Sequence, residues 1–266
     1  MLRAAESALR GLKMHQTYID VTGNNIANVN TDGFKRSQAE FEDILTALTK
    51  VRGMPDPGTP GTLNPAMVGL GVRLHAIDGQ FSQGALKITN VATDLAIQGE
   101  GYFVLQGPTG PVYTRSGTFT LDANGTVRAG DGKALLSTTG QPISVQGSGV
   151  TGAPAVSISP NGQVIASNGT QQAILGTIQL ARFTNQSGLE RVGNTEFRIT
   201  VASGPAITGQ GNTNGLGQII SGVVETSNVD MGTELTNLIV AQRGFSANQK
   251  VMTATDELVD QLNKLR

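Results

Sequence analysis

All ten prolines of the 266-residue chain fall between Pro55 and Pro205. Proline lacks a backbone donor and clashes with the preceding helical turn, so both ends are free of the strongest helix breaker and the middle is not. The ends also carry helical patterning. Leu2, Ala5, Leu9, Leu12, Gln16, Ile19, Gly23 and Ile26 recur at intervals of three and four, the seam of a coiled-coil-like helix. At the other end Met231, Leu238, Phe245, Met252 and Val259 stand one heptad apart, with Leu235, Ala241 and Leu262 added to that face. A helix over residues 230–265 would run roughly 54 Å, and one over 2–29 roughly 42 Å.

The middle is dense in turn dipeptides: Asp78-Gly79, Asn124-Gly125, Asp131-Gly132, Asn161-Gly162, Asn168-Gly169 and Asn214-Gly215. Asn, Asp and Gly tolerate positive φ, so these pairs predict tight hairpins. Strand-like runs lie between them at 102–105, 117–121, 156–158 and 176–180, alternating clearly in 118–121 and 177–180. Residues 120–132 and 158–169 echo each other as strand, Asn-Gly turn, short strand and second turn, which predicts a repeated hairpin rather than a solenoid. Residues 50–65 (KVRGMPDPGTPGTLNP) are rich in Pro and Gly and predict an irregular or extended connector. The expected fold is α+β. A mainly β outer body spans 76–227, an extended connector spans 36–75, and residues 1–35 and 228–266 form helices paired in a coiled-coil-like inner domain.

Such helices need more than each other. Ile239, Val240 and Val251 lie off the main carboxy-terminal stripe, and a two-helix pair buries stripes on one side only. Neighbouring subunits would have to cover the rest, which predicts assembly. A charged fraction of 15% fits a surface destined to be covered. Lys+Arg 19 against Asp+Glu 20 gives a net charge of -1, and no basic run occurs, so no nucleic-acid partner is expected. No apolar stretch of about 18 residues exists, so membrane insertion is not expected. Arg3, Glu6, Arg10, Lys13 and His15 interrupt the first twenty residues. That pattern lacks the continuous apolar run of a cleaved secretory signal peptide, so export of the chain would need another route.

Catalytic, metal and cofactor sites are not expected. The chain has no cysteine and two histidines, His15 and His75, without ligand spacing. Residues 122–125 lack the later ligands of a calcium loop. Residues 209–215 have the wrong spacing for a dinucleotide fingerprint, and Gly147-Ser-Gly149 lacks the flanks of a nucleophile elbow. Asp256, Glu257 and Asp260 read as a solvated helix face.

Residues 20–35 (DVTGNNIANVNTDGFK) resemble the amino-terminal signature of the bacterial flagellar axial family, the rod and hook proteins. Residues 225–230 (ETSNVD) and 238–250 (LIVAQRGFSANQK) resemble its carboxy-terminal helix, and 94–103 and 113–119 its middle motifs. The resemblance implies terminal helices paired in an inner tube, β domains outside it, and subunits stacked helically around a central export channel. It implies as partners further copies of the chain, adjacent rod, hook and junction proteins, an assembly cap and the flagellar export apparatus. The location implied is the flagellum, as extracellular hook or periplasm-spanning rod.

The residues expected at the assembly interface are Leu9, Leu12, Ile19, Asn24, Asn25, Ile26, Asn28, Gly33 and Phe34. On the second helix they are Leu235, Leu238, Gln242, Arg243, Phe245, Met252, Val259 and Leu262. The asparagines suit a helix end, where they cap and bond backbone groups. Gly33 suits a positive-φ cap, with Phe34 as the apolar anchor after it. Residues 64–72 and 240–245 resemble hook proteins, and 41–45 and 224–228 distal rod proteins. The hook is preferred and the distal rod is the alternative. A secreted β-rich adhesin or carbohydrate-binding protein is a remote alternative, since it leaves the terminal heptads unexplained.

Overall fold

The computed structural model describes residues 2–44, 47–50, 66–145, 155–168 and 171–264. Most of the expected Pro/Gly connector, Gly147-Ser-Gly149 and Gly169 lie outside the described residues. The fold is α+β, a mainly β body with one helix at each end, and the chain divides into two units.

Unit 1 holds 1–26, 37–78 and 231–266. Its elements are α1 (Leu2–Ala27), β1 (Ser37–Asp43), β2 (Ala47–Lys50), β3 (Ala66–Val68), β4 (Val72–Gly79) and α2 (Met231–Lys264). β1 pairs with β4 and β2 with β3, so the described parts of the 36–75 stretch are largely hydrogen-bonded strand. Asp230, a favoured cap residue, stands immediately before α2, and Glu234 complements the positive end of its dipole.

Unit 2 holds 27–36 and 79–230. Its first strands are β5 (Leu86–Ile88), β6 (Leu95–Gln98), β7 (Tyr102–Gly107), β8 (Gly110–Thr114), β9 (Phe119–Leu121) and β10 (Val127–Ala129). There follow β11 (Ala155–Ile158), β12 (Gln163–Ser167), β13 (Gln172–Thr177), β14 (Leu180–Arg182) and β15 (Glu190–Gly193). The last are β16 (Glu196–Arg198), β17 (Ile207–Gly209), β18 (Gln218–Ser221) and β19 (Val223–Glu225). A six-stranded sheet in the order β15-β16-β8-β7-β14-β17 organises the unit. β7 sits centrally and is buried on both faces. Phe103 and Leu105 join one core with Leu95, Ile97, Phe119, Leu135 and Ile178. Tyr102 and Val104 join a second with Tyr113, Phe183 and Phe197. Side chains alternate across a strand, so one four-residue apolar run feeds two cores, at about 2 kcal/mol per large side chain.

The two echoing segments both form hairpins, β9–β10 turning at Gly125 (φ 71°) and β11–β12 at Gly162 (φ 87°). Three expectations differ. Asp78-Gly79 makes no hairpin, because β4 pairs with β1 instead, and Asn214-Gly215 turns between β17 and β18, which pair with β14 and β6 rather than with each other. The run 176–180 is split between β13 and β14, since the backbone leaves β12 and takes up β7, although burial still alternates through the break. The β15–β16 turn follows Gly193 and puts two non-glycine residues at positive φ, Asn194 (φ 50°) and Thr195 (φ 59°). A β-branched residue is strained there, by roughly 1–2 kcal/mol. Thr195→Gly is expected to raise stability by about 1 kcal/mol, read as a higher midpoint in thermal circular dichroism.

Candidate assembly interface

In unit 1 the two helices touch where side chains are small. A Cβ on Gly11 would stand 2.9 Å from the Asn248 amide, and one on Gly244 would stand 2.3 Å from the His15 ring. As the numbering rises along α1 it falls along α2, so the helices run antiparallel. His15 therefore fills a packing notch.

The lines of burial on these helices are small or polar. On α2, Glu234, Ala241 and Thr255 are buried and Asn248 half-buried, at seven-residue spacing. On α1, Ala8 and Thr22 are buried with His15 half-buried between them. The expected apolar residues flank these lines. Leu12, Ile19, Ile26, Leu238, Phe245 and Met252 are half-buried, while Leu9, Leu235, Val259 and Leu262 are exposed, as are Asn24, Gln242 and Arg243. Further apolar side chains of α2 face outward, with Met231 at 46%, Ile239 at 50% and Val240 at 59% exposure. At about 100° per residue, Met231, Leu235 and Ile239 form one stripe. Val240, Val251, Leu258 and Leu262 form another on roughly the opposite side. One partner helix buries one such stripe.

The asparagine-rich end of α1 is pinned by its side chains. Asn25 is buried, donates to the Ser37 carbonyl at 2.8 Å and accepts from the Ser37 amide at 3.0 Å. It thus offers β1 the pair of bonds that a neighbouring strand would. Asn28 Oδ1 accepts from the Thr31 hydroxyl at 3.1 Å. Gly33 has φ 72°, donates to the Glu225 carbonyl at 2.7 Å, and leaves no room for a Cβ, which would meet the Ser116 nitrogen at 2.4 Å. Phe34 is buried beneath the Arg191 guanidinium, 5.7 Å from the ring centre.

Next to it lies a charge cluster that the sequence reasoning missed. Lys35 Nζ meets Glu225 Oε1 at 2.5 Å and donates to the Ser82 carbonyl at 2.8 Å. Arg115 Nη1 meets Glu225 Oε2 at 3.3 Å, while its Nη2 donates to the Gly99 carbonyl at 2.8 Å. The Gly84 amide donates to Glu225 Oε1 at 2.9 Å. The three charged side chains are 1%, 0% and 4% exposed. Burial outweighs the pull of Glu225 and holds the Lys35 pKa below the usual lysine range. All three residues stand inside quoted motifs, but Lys, Arg and Glu are ordinarily exposed and their letters carry no sign of burial.

Three family models match the chain: "Flagella basal body rod protein" over residues 2–35, "Flagellar hook protein FlgE/F/G D1 domain" over 96–166, and "Flagellar basal body rod FlgEFG protein C-terminal" over 220–265. The chain is 40% identical to the flagellar basal-body rod protein FlgG of Bacillus subtilis over 270 residues, all of both chains. It is 34% identical to FlgG of Borreliella burgdorferi, over 100% of this chain and 99% of that one.

The chain belongs to the flagellar rod and hook protein family.

A flagellar hook protein FlgE, also from Borreliella burgdorferi, is 26% identical over 443 aligned positions spanning both chains. The family is structural rather than enzymatic, and its members build the bacterial flagellum as homopolymers beside neighbouring rod and hook proteins. Among the described residues no group of His, Cys, Asp or Glu could hold a metal ion, and no helix is long and apolar enough to cross a membrane. In this rod and hook family member, the amino-terminal, middle and carboxy-terminal matches each supply one member of the Lys35–Arg115–Glu225 cluster or its immediate flank.

Proposed function

We propose that this chain is the distal rod subunit of the flagellar basal body, polymerising helically around a central export channel. The observation that carries the polymerisation is the pair of opposed apolar stripes on α2, exposed in the single chain. In the assembled structure α1 and α2 form an antiparallel, coiled-coil-like inner-tube wall, and neighbouring copies cover the stripes. The interface residues are those set out from the sequence, with the half-buried Leu238, Phe245 and Met252 bridging the contact with α1 and the contact with neighbours.

The rod is preferred to the hook because the full-length relatives at 34–40% identity are named rod proteins. The named hook relative is less similar and aligns over many more positions than this chain has residues. The hook remains the second reading, supported by that relative and by the hook-like segments 64–72 and 240–245. On either reading the partners are adjacent rod, hook and junction proteins, with the cap and export apparatus acting during assembly. The rod reading places the subunit in the periplasm-spanning shaft.

Cryo-electron microscopy of filaments grown from purified protein tests this, beside a chain lacking residues 1–30. Straight hollow tubes from the full chain alone are expected; curved tubes would favour the hook, and equal assembly by both chains would refute polymerisation through the ends. Phe245→Ala removes about 2–3 kcal/mol of burial per subunit. It is expected to leave the β body folded and abolish filaments, so assembly at the wild-type concentration would count against this interface.

A further inference from the structure

The chain passes between its two units four times, at residues 26–27, 36–37, 78–79 and 230–231. Within unit 2 the segments that make these passages are stitched together by one side chain. Asn228 Oδ1 accepts from the Arg36 amide at 2.8 Å. Its Nδ2 donates to the Gln80 carbonyl at 2.9 Å, the Ser82 carbonyl at 3.2 Å and the Ser82 hydroxyl at 3.0 Å. The Gln80 amide donates in turn to the Arg36 carbonyl at 2.8 Å. Three of the four passages therefore meet at Asn228. The fourth, following Ala27, is tied in through the Gly33 amide on the Glu225 carbonyl and through Lys35, which bonds both Glu225 and Ser82.

We propose that Asn228 is a positioning residue that fixes the points at which three of these four passages leave the β body, and so sets the stiffness of the filament. This rests on the polymer reading above. An amide suits the task because it supplies one acceptor and two donors from a single planar group, and so can join its own segment to an amide on one neighbour and to carbonyls on another. Carboxylate and hydroxyl side chains cannot. Asn228 is only half-buried and belongs to neither apolar core, so removing its amide leaves the body's stability nearly intact. What is lost is local: the segment that leads into α2 lets go of Arg36 and of Gln80 and Ser82, which keep only the Gln80–Arg36 bond and the Lys35 contacts. Opening of such a region is governed by few hydrogen bonds rather than by global unfolding.

The test uses the full chain with Asn228→Ala and Asn228→Asp. The aspartate keeps the acceptor for Arg36 but turns a carboxylate onto the Gln80 and Ser82 carbonyls. Hydrogen exchange on the monomer is expected to speed at least tenfold at the Arg36 and Gln80 amides in Asn228→Ala, and at Gln80 but not at Arg36 in Asn228→Asp. Exchange at Val104 and Val112 in the six-stranded sheet is expected to stay unchanged. Filaments of Asn228→Ala are expected at the wild-type critical concentration but with a persistence length several-fold shorter in electron micrographs. Unchanged exchange at Arg36 and Gln80 in Asn228→Ala, or unchanged persistence length, overturns the proposal. A uniform rise in exchange across the sheet also overturns it, since Asn228 would then be a general stabiliser. If wild-type protein forms no filaments, the polymer reading fails while the monomer exchange still decides the role of Asn228.

Discussion

Glu225→Leu is expected to destabilise the β body by about 3–5 kcal/mol, because it strands two cations in the interior. Lys35 and Arg115 are 1% and 4% exposed and have Glu225 as their shared counter-charge. The substitution also deprives the Gly84 amide of its acceptor. The thermal midpoint should fall by roughly 10 °C for a unit of this size. A loss below 1 kcal/mol in urea titration would mean that water enters the site and screens the charges. The companion variant replaces the whole cluster, Lys35→Met with Arg115→Met and Glu225→Leu. It is expected to recover most of the lost stability, since removing a buried ion cluster altogether is far less costly than breaking it. Recovery of stability without recovery of filaments would show that the cluster serves geometry: its directional bonds to Ser82, Gly84 and Gly99 are what apolar replacements cannot reproduce.

The second large effect is on assembly alone. Leu235→Asp combined with Val240→Asp puts a carboxylate on each of the two opposed stripes of α2. Both positions are exposed in the single chain, at 45% and 59%, so monomer stability is expected to change by no more than about 0.5 kcal/mol. In a filament each carboxylate would be buried without a partner, at a cost of several kcal/mol per contact. Even about 3 kcal/mol raises the critical concentration by more than a hundredfold. Sedimentation of polymer against monomer measures this directly. Normal pelleting by the double variant would remove α2 from the subunit interface. Each single variant serves as a control: a loss in one alone would assign assembly to that stripe.

Both effects concern features that the sequence discloses unequally. The two helices were legible because proline is excluded from the ends and apolar residues recur there at helical spacing. Their observed bounds, Leu2–Ala27 and Met231–Lys264, fall within two residues of expectation. The echoing hairpins were legible because Asn-Gly carries its own turn geometry. The Asn194–Thr195 turn was not, because threonine adopts positive φ only when the surrounding sheet forces it.

By itself, then, the sequence determined the α+β division, the helical ends, the main hairpins and the kinship of the chain, all of which rest on local spacing and local chemistry. Tertiary structure alone decided which helix faces meet. The heptads predicted an apolar seam, whereas the described contact runs along Ala8, His15, Thr22, Ala241, Asn248 and Thr255, since small side chains let the backbones approach. It alone decided that Lys35, Arg115 and Glu225 are buried together, and that Asn228 joins Arg36, Gln80 and Ser82. These partners stand up to 192 residues apart in the chain. Burial of a charge or an amide is a property of what folds over it, and no local pattern of letters records that.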